Sequence, residues 1–143
     1  MVALHPPLSG FPLAFISLLL AMEVLGLTRF ARLVQGCKGV VIGATMLSTA
    51  ASFFSGYQAV SNLGDLSDVT ERLISEHHII GRLLLFNVIA LATSYWIARV
   101  AAHGKRFFFL MYYIFLVSQT VLTVWAGYLG GGLVFNHGVG VKG

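Results

Sequence analysis

The residue types in this chain best suited to chemistry are histidines. There are five, His5, His77, His78, His103 and His137. Neutral imidazole offers a free ring nitrogen, which makes histidine the commonest metal ligand. Two histidines on facing helices can hold a haem iron from both sides, and three can hold zinc or copper. The five are too far apart in sequence to form a local motif, so their meaning depends on the elements that carry them. Two charged residues inside apolar runs raise the same question, Glu23 and Arg82. Arg82 follows His78 by four residues, which puts it one turn along the same helix face. Guanidinium groups grip carboxylates through paired hydrogen bonds, so an arginine at that place suits a propionate.

Hydropathy supplies the elements. The chain of 143 residues is 57% hydrophobic and 10% charged, where a soluble domain carries about 25% charged residues. A spanning helix needs about 20 apolar residues, and four such runs are present. Their spacing predicts helices over 10–30, 38–61, 77–102 and 106–135. The first run lacks a basic leader and a clean small-residue cleavage site, so it reads as a retained helix and not as a signal peptide. The length allows one domain, 1–143. Short connections force neighbouring helices to run antiparallel, so the expected fold is all-α, an integral membrane up-down four-helix bundle.

Charge sets the expected orientation. Arg29, Arg32 and Lys38 follow helix 1, and Arg99, His103, Lys105 and Arg106 lie between helices 3 and 4. The connection between helices 2 and 3 holds Asp65, Asp68, Glu71 and Glu76 against Arg72. The positive-inside rule then makes the basic connections cytoplasmic and both termini periplasmic, in a multi-pass protein of a bacterial inner membrane. The net charge of +4 is read as an orientation signal and implies no nucleic-acid partner. In this topology His5, His77, His78 and His137 share the outer depth, and His103 sits in a basic inner loop.

Three readings of the outer histidines follow. In the first, two of His78, His137 and His5 ligate a b-type haem, with His77 as a neighbour and Arg82 clamping a propionate. The chain would then be an electron-transfer subunit between a membrane quinol or partner subunit and an external cytochrome c, more a redox subunit than a self-contained enzyme. In the second, His5 swings in on an extended Pro6-Pro7 segment as the third ligand of a copper or zinc site. In the third, there is no cofactor: the histidines cap helix ends, and the chain is an accessory subunit packed against lipid and larger helices. Small residues on helix 2 (Ala44, Ser48, Ser52, Ser55, Gly56) and on helix 4 (Thr120, Thr123, Gly127, Gly130, Gly131) serve close helix packing or leave room for a planar cofactor. The run Gly130 to Gly132 is expected to fray helix 4 and to move His137 out of line.

Glu23 falls in the inner half of helix 1. It suits a proton-handling or quinone-site carboxylate, or a structural pair with Arg99 or Arg29. Asn87 and Gln119 are expected to make interhelical hydrogen bonds. Cys37 is the single cysteine, so no disulfide or thiolate cluster is available. The chain has no phosphate-binding glycine loop, no CxxCH and no GxSxG.

Several segments carry a resemblance. They are His5-Pro6-Pro7-Leu8 with Phe11-Pro12, then Ser55-Gly56-Tyr57, then His77-His78 with Gly81, and finally the ending Gly130-Gly131-x-Leu133-Val134-Phe135-x-His137-Gly138-Val139-Gly140-Val141. Together they resemble a bacterial family of small four-helix membrane domains of unknown function, over nearly the whole chain. The resemblance implies a redox setting on the outer face, because some members are joined to cytochrome c or Rieske-type modules. Its recurring histidines match His5, His78 and His137, with His77 adjacent.

Overall fold

The computed structural model describes residues 5–61 and 66–139, apart from the side chains of residues 6 and 7. Asp65 of the acidic connection and Gly140-Val141 of the closing motif lie outside these residues. Four helices follow in order, α1 His5–Leu25, α2 Ala31–Val60, α3 Asp68–Val100 and α4 Lys105–His137. All four are long and apolar enough to cross a membrane. The tightest pairs are the sequential hairpins α1/α2 and α3/α4. Contacts of α2 with α3 and of α1 with α4 close the ring, and the diagonal pairs stay apart. This is a four-helix bundle.

Each helix begins or ends away from the limits expected from hydropathy, for a local reason. Apolar runs locate the part of a helix that lipid selects and say little about the polar turns beyond it. α3 starts at Asp68, nine residues before His77, because Ser67 caps it by accepting from the Thr70 N–H at 3.4 Å. Asp68 and Glu71 in its first turn favour the positive end of the helix. α1 starts at His5, where an extended segment was expected. Prolines at the start of a helix lose no hydrogen bond, since the first N–H groups have no partner in any case. α1 ends at Leu25, and the Thr28 hydroxyl closes the turn by donating to the Leu25 carbonyl at 2.6 Å and accepting from the Phe30 N–H at 3.2 Å. α2 then begins at Ala31, which puts Lys38 inside the helix and not before it. α4 opens after Gly104 at φ +74° and ends at Gly138 at φ +64°, both in the left-handed region that glycine enters at no steric cost. It runs unbroken through Gly130 to Gly132, so the expected fraying there does not occur.

Positions facing the bundle interior recur at alternating spacings of four and three, the seam spacing of packed helices. On α2 they are Lys38, Ile42, Thr45, Thr49, Ser52 and Gly56. On α4 they run from Tyr112 through Leu116, Gln119 and Thr123 to Gly130. The apolar core is not central. Ile16, Leu19, Ile42, Leu91, Tyr95, Tyr112 and Leu116 form one buried cluster, and it occupies the half of the bundle nearer Glu23. The other half holds a cavity.

A histidine-lined cavity at one end of the bundle

The cavity has a volume of about 370 Å³ and is walled by all four helices. α1 contributes His5, Ser9 and Pro12; α3 contributes His77, His78, Gly81 and Leu84. The wall from α2 is Thr49, Ser52, Phe53 and Gly56, and that from α4 is Thr123, Ala126, Gly127, Gly130 and Gly131. Ligand-type side chains thus come from the diagonal pair α1 and α3. The other diagonal, α2 and α4, offers mostly small residues.

Close packing holds the two deepest rings. A Cβ added at Gly56 would stand 2.8 Å from His5 Cε1, and one added at Gly130 would stand 3.2 Å from His77 Cε1. The imidazoles therefore lie directly on helix backbone where any side chain would displace them. The His5 and His77 ring centroids are 6.2 Å apart, with their planes at 80°. His5 Nδ1 bonds the Ser55 hydroxyl at 3.1 Å. Burial lowers the His5 pKa below the ordinary histidine value; a hydrogen bond to the Ser52 backbone opposes this and the neighbouring His78 adds to it. His77 Nδ1 is buried without a hydrogen-bond partner. His78 also lines the cavity, and its ring stacks on Tyr57 at 5.5 Å and 16°.

The expected site residues divide accordingly. His5, His77 and His78 are brought together, and His77, expected only as a neighbour, is the most deeply enclosed. His137 is not brought to them. It is exposed at the end of α4, about two turns or 10 Å beyond Gly130, because the helix continues straight through the glycines. Arg82 is exposed and lies outside the cavity lining, so in this geometry it clamps nothing there. Among the described residues no three of His, Cys, Asp and Glu converge on a point suited to a metal ion.

Glu23 lies at the opposite end and finds a partner that was not expected. Its carboxylate pairs with Lys38 Nζ at 2.8 Å and accepts from the hydroxyls of Tyr112 and, at 3.2 Å, Tyr113. Arg99 and Arg29, the expected partners, lie instead over the rings of Tyr95 and Phe30. The extra turns of α2 explain this, since they carry Lys38 alongside α1. Between the two ends Asn87 donates to both the Gln119 side chain at 2.8 Å and the Phe115 carbonyl at 2.9 Å, an interhelical bond of the kind expected. Comparison with family models, curated proteins and solved structures returns no match.

Proposed function

We propose that this chain is a membrane-embedded electron-transfer subunit that binds a b-type haem through His5 and His77. The observation that carries the proposal is the pair of rings 6.2 Å apart on diagonal helices. A metal–imidazole bond is about 2 Å long and the ring centre lies about 1 Å behind the nitrogen, so two rings on either side of one ion stand about 6 Å apart. Small residues of the other diagonal pair, Ser52 on α2 and Ala126 and Gly127 on α4, line the cavity beside the two rings. Bundles place cofactor ligands on facing helices in this way. Haem would supply reversible storage of one electron at its iron. The protein would supply two axial nitrogens, an apolar enclosure and, through Ser55, the orientation of His5.

The electron partners that suit this reading are a membrane quinol and a periplasmic cytochrome c, with the histidine end facing outward in a bacterial inner membrane. Membership in the family of small membrane domains described above belongs to the same proposal. Copper or zinc fits less well, since such an ion takes three or more protein ligands and among the described residues no three of His, Cys, Asp and Glu converge on a point suited to one.

The test is the visible spectrum of the detergent-purified protein, oxidised and dithionite-reduced, with a metal assay on the same sample. A reduced b-type α-band at near-stoichiometric amount is expected. His5→Ala and His77→Ala should each abolish it, and His137→Ala and Arg82→Ala should leave it in place. Full retention of pigment in both His5→Ala and His77→Ala would overturn the assignment. A colourless, metal-free protein prepared with its native partners would favour the accessory-subunit reading.

A further inference from the structure

We propose that the blind end of the cavity, at Thr49, is a binding site for a neutral oxygen that both donates and accepts a hydrogen bond, from a water molecule or from a lipophilic ligand lying above it. Thr49 is 3% exposed and lines the cavity. Its hydroxyl has no hydrogen-bond partner. This is unusual for its place in the helix. One turn earlier the Thr45 hydroxyl donates to its own helix at the Val41 carbonyl, and across the bundle Thr123 donates to the Gln119 carbonyl. Thr49 has the same chance and does not take it.

Among the described residues the buried side-chain polar atoms without a partner are Thr49 Oγ1, His77 Nδ1 and Gln119 Nε2. Thr49 and His77 line the cavity, and Gln119 lies one turn below Thr123 of its floor. A buried hydroxyl with no partner is costly, and a buried amide N–H₂ more so in a membrane. The Thr49 hydroxyl offers such an oxygen both a donor and an acceptor, and Thr123 lines the cavity from the opposite wall. Whatever binds there arrives through the cavity, because Ile42, Leu91 and Leu116 close the bundle immediately beneath. The inference does not rest on the haem reading: it stands on the unpartnered Thr49 hydroxyl and the cavity that Thr49 lines.

The sign of a stability change tests it. Thr49→Val keeps the shape and removes the hydroxyl. Melting temperatures of wild type, Thr49→Val, Thr49→Ser and Thr49→Ala would be measured in detergent on the protein as purified and again after addition of a short-chain quinol, whose hydroxyls both donate and accept. The site predicts that Thr49→Val melts lower than wild type by about 2–4 °C and that Thr49→Ser melts higher than Thr49→Ala by about the same margin. A loss already present before the quinol is added identifies water, and a loss seen only after it identifies the hydroxyl of the added ligand. Should Thr49→Val not fold, Thr49→Ser against Thr49→Ala makes the same comparison. Equal or higher melting of the variant lacking the hydroxyl, in both states, would overturn the proposal, because an unoccupied hydroxyl is better replaced by a methyl group.

Discussion

Gly56 is where the histidine end can be perturbed most sharply with the smallest change. The Cβ of Gly56→Ala would stand 2.8 Å from His5 Cε1, against about 3.5–4.0 Å for an unstrained carbon contact. The ring must therefore retreat by about 0.7 Å or more. The His5 Nδ1 bond to Ser55 is already 3.1 Å long and does not survive such a shift, a loss of about 0.5–1.5 kcal/mol. Overpacking adds about 1–3 kcal/mol if nothing relaxes, and the better helix propensity of alanine returns up to about 1 kcal/mol. His5 stands in the first turn of α1, so its side chain gives way more easily than the helix backbone does. The net cost of about 1–2 kcal/mol should then fall on ligand binding, a weakening of about five- to thirtyfold. The assay is haemin titration followed by the Soret band, with a melting curve on each variant. Gly43→Ala is the control, because on the same helix and outside the cavity lining its Cβ would meet nothing within 4 Å, and Gly130→Ala, with its contact at 3.2 Å to His77, should fall between. Equal haemin affinity in Gly56→Ala and Gly43→Ala would refute the claim that backbone contact sets the ring position.

Two further outcomes concern the rest of the bundle. Removing either partner of the Glu23–Lys38 pair strands the other in a largely buried position, so Glu23→Gln and Lys38→Met should each destabilise by roughly 2–3 kcal/mol. The double variant should lose less than the two singles combined, and strict additivity in thermal melts would show that the pair is not coupled. Asn87→Leu removes the donor to both Gln119 and Phe115 and should cost about 1–2 kcal/mol. Asn87→Leu with Gln119→Leu should recover part of that loss, because no amide is then left unpaired; a further fall on adding the second change would contradict the network.

Some of this architecture was legible in the chain itself. Four apolar runs in a chain with so few charges leave little choice but four long helices, because lipid requires every backbone group to bond within its own segment. The polar residues that meet across helices were also visible as types. Asn87 and Gln119 stood out as amides in apolar runs, and Glu23 as a carboxylate in need of a cation. The histidines stood out by kind, and the topology expectation gathered four of them at one end.

The partners were decided by tertiary structure. The turns of α2 before the apolar run carry Lys38 to Glu23, and hydropathy is blind to polar turns. His77 and His78 are adjacent in sequence and point about 100° apart on a helix, so only the packing of α3 against its neighbours could decide that His77 enters the interior while His78 turns toward Tyr57. His137 shares the end of the bundle with them and still lies two turns away, because α4 keeps its helical rise through three consecutive glycines. His5 reaches the cavity because its prolines sit in a first turn that tolerates them, and because Gly56 has no side chain to keep its ring away. Sequence set which groups were present and at roughly what depth; the rotation of each helix about its own axis set which of them meet.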